Sequence, residues 1–403
     1  MEDCKLLKIG VCSPFTVSEF VSYLGPESRA RAGGINGLKA PAVDAVIHEL
    51  LRRGHKVSVY SLDYSIDDYT ILNGDKLTII LAPGHCKNAL KRALGIFTYK
   101  TSVLKYCILM DSEQPDILHA HWTHEFALAA LAASPTRTVV VTVRDWAPKV
   151  LRLFWKHYYF YIHYVMDYLV FHHKRAFIIA NSDFMAEQVL KRWKRSVPVI
   201  PNPIGSLYLN AEAKRMHNKF IIVSISNNVS PLKNIANLLV AYKKLYTKYQ
   251  DSIELQLLGT QFVPDNATIV NWKQQGLLNG VVLCGFVPHK DLLARLSAVD
   301  IMMHPSLEES FGNILIEAMS QNILVIGGEK SGAVPSVLGY GKYGVLCDVT
   351  NPDSIANAME DAYLHFDEYQ TKIQKSLKYV RKEYSVDRIT DMHLEIYNKI
   401  LGL

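Results

Sequence analysis

Phe220 to Tyr249 reads FIIVSISNNVSPLKNIANLLVAYKKLYTKY. An apolar run, FIIVSI, gives way to a polar loop, NNVSPLKN, and then to an amphipathic helical pattern, so the segment is a strand, a loop and a helix in succession. The same alternation fills the chain. Upstream, short apolar runs stand at Lys8–Cys12, Lys56–Tyr60, Leu77–Leu81, Asp116–His119, Thr138–Val143, Phe177–Ala180 and Val197–Ile200. Downstream they stand at Phe220–Ser224, Glu254–Leu258, Val281–Cys284, Ile301–His304, Ile323–Gly327 and Gly344–Cys347. Strands alternating with longer helical stretches mark βαβ units and parallel sheets covered on both faces. One such helix is expected from Pro41 to Arg53, with Val43, Val46, Ile47, Leu50 and Leu51 at helical spacing and Gly54 as its stop. Because the unit at Phe220 restarts the pattern, the expected architecture is α/β with two doubly wound parallel sheets.

Length agrees with two domains, since 403 residues exceed what one hydrophobic core usually organises. Between the halves lies PNPIGSLYLNAEAKRMHNK, where Pro201, Asn202 and Pro203 form a turn before a polar stretch, which places the hinge near residue 204. The expected domains are 1–203 and 204–385, with a last helix over about 386–403 returning to one of them. A hydrophobic fraction of 49%, a charged fraction of 20% and a mean hydropathy of +0.06 exclude a disordered or collagen-like chain. The net charge of +6 suits anionic ligands or a membrane surface and falls short of a nucleic-acid footprint. Cys4, Cys12, Cys86, Cys107, Cys284 and Cys347 show no metal-ligand spacing and read as reduced core residues of a cytoplasmic protein. The N-terminal stretch reads as a strand without the apolar core of a signal peptide. The most lipophilic stretch, residues 151–173, is interrupted by Lys156, His157, His163 and Asp167, which argues against a spanning helix.

The segment richest in chemistry is HPSLEESFGNILIEAMS, residues 304–320. A strand runs through a polar loop with Gly312 into an apolar helix, and a helix start offers free amides to a pyrophosphate. Glu309 and Glu317 would stand roughly 12 Å apart on one continuous helix, so they cooperate only if the loop folds back. A carboxylate can grip neighbouring sugar hydroxyls. It can equally serve as an ordinary acid at a helix start. HAHWTHE places His119, His121 and His124 after a parallel strand, a usual ligand position, but the H-x-H-x-x-H spacing has no evident fourth metal ligand. No metal is assigned to it. Arg144, in the strand exit VVVTVRDWAP, suits an anionic acceptor or a salt bridge to Asp145 or another acid.

Taken in order, RAGGINGLKAPAVDAVIHELLRRGHKVSVYS, PDILHAHWTH, AFIIANSDFMAEQV, VPVIPNPI, VVLCGFVPHKDLLARLSAVDIMMHPSLEESFG, ESFGNILIEAMS and GAVPSVLGYGKYGVLCDVTNPDSIANAM resemble glycosyltransferase family 4 over nearly the whole chain. The resemblance implies a GT-B fold, two Rossmann-like domains facing across a cleft, and a retaining enzyme that uses a nucleotide sugar. By position it implies that Glu317 binds the nucleotide ribose, that Glu309 touches the donor sugar beside the amides of Phe311, Gly312 and Asn313, and that Lys233 neutralises the diphosphate. It gives Gly33 and Gly34 to a loop that faces the donor phosphates and the acceptor, Phe286 and Val287 to the base, and one histidine, His121 first and His124 second, to the donor sugar near the reacting carbon; apart from the resemblance, His124 and Arg144 are the acceptor-side candidates. Two positions depart: the family usually carries Arg where Asn228 stands, and often His where Arg144 stands.

The implied reaction moves a hexosyl unit from a UDP- or GDP-sugar to a hydroxyl of a surface polysaccharide, lipopolysaccharide or lipid-linked glycan. It needs no cofactor and no metal, since Lys233 and helix amides hold the phosphates. Rival readings are a GT-B glycosyl phosphorylase or sugar-nucleotide epimerase, and a non-catalytic nucleotide-sugar-binding module. Residues 85–106 mix Lys87, Lys91, Arg92, Lys100 and Lys105 with Leu90, Leu94, Ile96, Phe97 and Leu104. This is the pattern of a helix lying on an anionic bilayer or of a half-buried helix with solvated lysines. The first implies a peripheral place at the inner face of the membrane, to which Trp155 and the nearby tyrosines add interfacial residues.

Overall fold

The computed structural model describes residues 5–86, 89–153, 155, 158–205 and 219–403. Lys87, the side chains of Leu90, Lys91, Arg92, Leu94, Ile96 and Phe97, and most of the polar linker after residue 205 lie outside the described residues. The chain forms two compact units, 1–203 with 386–403, and 204–385.

The first unit holds strands β1 (Lys8–Cys12), β2 (Lys56–Asp63), β3 (Thr70–Asn73), β4 (Leu77–Pro83), β5 (Ile117–His121), β6 (Val139–Val143) and β7 (Ala176–Ala180). They form one sheet in the order β3-β4-β2-β1-β5-β6-β7. Every neighbouring pair is parallel except β3 with β4. Alternate residues of each strand enter different cores: Ile9, Val11, Val57, Val59, Ile79 and Leu81 fill one, and Cys12, Tyr60, Leu62, Ile80 and Ala82 the other. Both faces are therefore covered, which is why these strands read as continuous apolar runs. The helix Pro41–Arg52 buries Val43, Val46, Ile47, Leu50 and Leu51 in the first core. Beside it lies the helix Val386–Leu401, which adds Ile389, Leu394 and Tyr397 to that core. Arg52 and Arg53 tie the two helices together through Asp387 and Asp391.

The second unit holds β8 (Phe220–Ile225), β9 (Ile253–Leu258), β10 (Val281–Gly285), β11 (Ile301–His304), β12 (Leu324–Gly328) and β13 (Val345–Cys347), parallel throughout and ordered β10-β9-β8-β11-β12-β13. Its strands also alternate, with Ile222, Leu255, Leu257 and Met303 on one face and Ile221, Val223, Leu258 and Met302 on the other.

Two sequence expectations need correction. Val197–Ile200 forms no strand; Val199 makes a single bridge to Ala180, and Pro198 has no N–H to extend the ladder. The first sheet is not wholly parallel either, because β3 turns back on β4 as an edge hairpin. Among the described residues, no helix is long and apolar enough to cross a membrane.

Candidate functional site

In each sheet the first strand in sequence has later strands on both sides, so strand order reverses beside it: between β8 and β11 in the second unit, between β1 and β5 in the first. Loops diverge to opposite faces at such a reversal and leave a crevice outside the carboxyl ends of the strands, where α/β sheets bind ligands. The loops after β8 and β11 carry Lys233 and Glu309; the loop after β1 carries the Gly33–Gly34 turn, and the end of β5 and the loop that follows it carry His119, His121 and His124.

Several hydrogen bonds sew the two loops of the second unit together. Leu307 N–H and the Ser306 hydroxyl both donate to the Leu232 carbonyl, at 2.9 and 3.3 Å. The Asn234 carboxamide donates to the carbonyls of Pro305 and Val349, spanning the exits of β8, β11 and β13. On this frame Lys233 Nζ lies 2.6 Å from Glu309 Oε1, and His304 Nε2 lies 3.2 Å from the same oxygen. Burial raises the Glu309 carboxyl, but His304 and Lys233 outweigh it and hold the group at about 2, so it is a carboxylate at neutral pH. The backbone of Glu309 is fixed by a parallel bridge to Gly332 in the loop after β12.

Gly312 sits just before the short helix Asn313–Met319 with φ of 90°, a left-handed conformation that favours glycine. Glu309 thus belongs to a loop and Glu317 to the helix that follows, so the two acids are not on one continuous helix. Phe311 is a core residue, packed with Leu315, Ile316 and Tyr384, which leaves its backbone rather than its ring for a ligand. Phe286, exposed, and Val287 follow β10, two strands away from β8 and roughly 10 Å across the sheet. Because all six strands run the same way, every one of these residues stands at one edge of the sheet.

Asn228 has a local task. Its Oδ1 accepts from Ser230 N–H at 3.1 Å, a small turn that shapes the loop leading to Lys233. His304 was missed by sequence reasoning. No local signal marked it, because the place of its strand beside the reversal shows only in the sheet order.

The first unit's reversal is built differently. His119 and His121, two apart on β5, share a face, and their ring centroids are 4.1 Å apart. His119 Nδ1 is 2.6 Å from the Tyr397 hydroxyl and its Nε2 is 2.7 Å from the Thr142 hydroxyl. Arg144 Nε donates to His121 Nδ1 at 3.1 Å, and its Nη1 donates to Asn202 Oδ1 at 2.7 Å. A donor at Nδ1 leaves the proton of His121 on Nε2, so the ring offers an N–H from that side. Burial first, then neighbouring positive groups including Arg144, hold His119, His121 and His393 well below the ordinary histidine range, His393 at about 3. Burial also lowers Arg144, to about 10, which still leaves it charged at neutral pH. Its guanidinium lies 5.6 Å from the ring of Trp122, a residue with φ of 67°. A bulky side chain in that region stores of order 1–3 kcal/mol of strain.

Neither Asp145 nor any other carboxylate of the described residues lies within ion-pair distance of Arg144; Asp145 pairs with His124 at 3.3 Å. Burial would lower His124, but Asp145 raises it to about 9. His124 stacks on His163 with centroids 4.1 Å apart, so the three histidines of HAHWTHE divide between two clusters. Gly33 and Gly34 form an exposed turn. The constricted glycine of that long loop is Gly37, with φ of 76°, where a Cβ would stand 2.2 Å from the Phe15 carbonyl oxygen.

The family model for Glycosyltransferase Family 4 matches residues 42–205, and that for Glycosyl transferases group 1 matches residues 210–378, so between them they cover most of the chain. The N-acetyl-alpha-D-glucosaminyl L-malate synthase of Bacillus anthracis is 27% identical over 186 residues, 45% of this chain and 46% of that protein. The phosphatidylinositol N-acetylglucosaminyltransferase GPI3 subunit of Saccharomyces cerevisiae is 29% identical over 175 residues, 40% of this chain and 37% of that protein. The matches thus span less than half the length of these curated relatives. Among solved structures, Anabaena Alr3699/HepE in complex with UDP-glucose superposes with a TM-score of 0.67 at 16% identity, covering 98% of this chain and 100% of that one. At that identity the likeness establishes the fold.

Proposed function

The chain belongs to glycosyltransferase family 4, and on that premise we propose that it moves a hexosyl unit from a UDP- or GDP-sugar to a hydroxyl of a surface polysaccharide, lipopolysaccharide or lipid-linked glycan, with retention of anomeric configuration. The observation that carries this reading is the convergence of Lys233, Glu309 and His304 at the strand-order reversal of the second unit. Diphosphate binding needs a cation, and Lys233 supplies a point charge there. In the proposed step the bond from the anomeric carbon to the diphosphate oxygen breaks and a bond from that carbon to the acceptor oxygen forms. The acceptor proton passes to the departing diphosphate. Lys233 stabilises the charge that develops on that oxygen, so the step needs no metal. Glu309 turns from Lys233 to the sugar hydroxyls, Glu317 holds the ribose, and His121 offers its Nε2–H to a hydroxyl. Phe286 and Val287 line the base, and the backbone of Phe311, Gly312 and Asn313 meets the phosphates.

A membrane-borne acceptor is favoured by the surface of the first unit. Tyr161, Val165, Tyr168, Leu169 and Leu190 are exposed, beside the cations Lys191 and Arg192. Tyrosines with lysine and arginine are the residues of a membrane interface. Flotation with anionic liposomes is expected to fall when Lys191 and Arg192 are neutralised.

The test of the transfer reading is a thermal-shift screen over nucleoside diphosphates and nucleotide sugars, followed by product analysis with acceptor glycans. A bound donor raises the melting temperature by mass action, and Glu317→Ala abolishes that shift without unfolding the chain. Turnover that needs free phosphate, or product without an acceptor, would identify a phosphorylase or an epimerase. Binding without turnover would identify a binding module.

A further inference from the structure

Beneath the loops of the first unit lies a second cluster of titratable groups. His124 precedes the helix Glu125–Ala133, which it caps, so His124 and Glu125 enter the interior together. His163 comes from the helix Tyr158–Phe171, and Asp145 from the exit of β6. One ligand atom each of His124, Glu125 and His163 lies within 4.8 Å of the other two. Asp145 Oδ1 lies 3.3 Å from His124 Nε2, yet both atoms are buried and neither makes a well-formed hydrogen bond among the described residues. Asp167 Oδ2, buried in the same region, also lacks one. Each such atom costs about 1–3 kcal/mol, and their concentration in one place calls for an occupant.

The chemistry of the side chains describes that occupant. Glu125, Asp145 and Asp167 bring three carboxyl groups, against which Lys100 stands 3.5 Å from Glu125. A tetrahedral ion with bonds of about 2.0–2.1 Å separates its ligand atoms by about 3.3–3.4 Å. The ligand atoms of His124, Glu125 and His163, within 4.8 Å of one another, reach it by closing up to about 1.5 Å through side-chain rotation. Two imidazole nitrogens with a carboxylate oxygen suit zinc and its first-row neighbours better than magnesium or calcium, which take all-oxygen shells.

We propose that His124, Glu125 and His163 bind one zinc-class divalent cation, with Asp145, beside His124, and Asp167 as supporting carboxylates. The ion ties the exit of β5 to the helix Tyr158–Phe171. It takes no part in the transfer proposed above and does not rest on it. Its role is to fix the start of the helix Glu125–Ala133 and, through His124, to steady Asp145 in the loop that carries Arg144.

The experiment uses the full chain without an affinity tag, stripped with a chelator and then titrated with zinc or cobalt. One ion per chain is expected by elemental analysis. The melting temperature should rise with micromolar zinc but not with millimolar magnesium, and cobalt should give the intense visible bands of a tetrahedral ion. His163→Gln and Asp145→Asn should each weaken binding by about tenfold or more, and His163→Gln should leave the metal-free melting temperature near its starting value. Should one variant fail to fold, the other carries the test. The proposal is overturned if the stripped chain takes up no stoichiometric metal, as a buried water bridging these groups would require. It is also overturned if a folded variant binds zinc as tightly as the parent, which would place the ion elsewhere.

Discussion

The two strand-order reversals occupy equivalent places in their sheets and hold opposite chemistry. The second unit sets a lysine and a carboxylate in direct contact, with a histidine on the same oxygen. The first unit surrounds one guanidinium with neutral groups, a buried imidazole, a carboxamide and an indole ring. An ion pair at a mouth is ready to exchange one partner for an anionic ligand. Imidazoles kept neutral by burial offer hydrogen bonds to hydroxyls without demanding charge. The same topology thus yields one strand-end cluster built on an ion pair and another built on neutral donors and acceptors around a single guanidinium, because the side chains at the strand ends differ.

The largest effect that tests this contrast is expected from Lys233→Ala. Loss of the only cation hydrogen-bonded to Glu309 among the described residues should cut transfer about 10²–10³-fold, measured as turnover at saturating acceptor. A larger loss for Arg144→Ala would reverse the proposed assignment of roles between the two clusters.

A pH titration sharpens the contrast next. His119, His121 and His393 have depressed pKa values in the folded state, so the unfolded chain binds protons first as pH falls below about 6.5. The stability they confer is present above that pH and is lost as pH falls toward their folded values. Asp44 and Asp167 of the same unit, both raised to about 7 by burial, gain stability as pH falls through that value and offset part of the loss. Glu309 is also depressed, to about 2, but its contribution begins to fade only below about 4.5. Hydrogen exchange resolved by residue should therefore show the strand Ile117–His121, which carries His119 and His121, loosening at mildly acidic pH while the second unit's sheet stays closed. Simultaneous loosening would break the comparison.

Two smaller effects complete it. Tyr397→Phe removes the hydroxyl 2.6 Å from His119 Nδ1 and should cost about 1–2 kcal/mol in the first unit's unfolding free energy. Asn228→Ala removes the turn bond to Ser230 and should cost about 0.5–1 kcal/mol, with donor affinity changed much less than by Lys233→Ala. A loss of affinity equal to that of Lys233→Ala would mean that the carboxamide touches the donor directly.

Much of this was legible in the sequence. Buried parallel strands must be apolar on both faces, so nearly all of them stand out as runs, and the helices Pro41–Arg52 and Val386–Leu401 show their periods. The edge strand Thr70–Asn73 was invisible because only Leu72 is fully buried and the run is short. Val197–Ile200 misled because its apolar residues pack against the core without forming a ladder. Lys233 and Glu309 were readable as candidates, whereas His304 was not, since nothing local marks a strand-end histidine as a partner for a carboxylate.

By itself the sequence determined the α/β alternation, the restart at Phe220 and the residue types at the strand ends, because these follow from local periodicity. Only the tertiary structure decided which of those residues meet. Lys233 reaches Glu309 across 76 positions and His119 reaches Tyr397 across 278, while His124, three residues from His121, joins another cluster. The reason is that strand order and the direction of each side chain at a strand exit are set by how the helices pack on the sheet, and no local pattern encodes that.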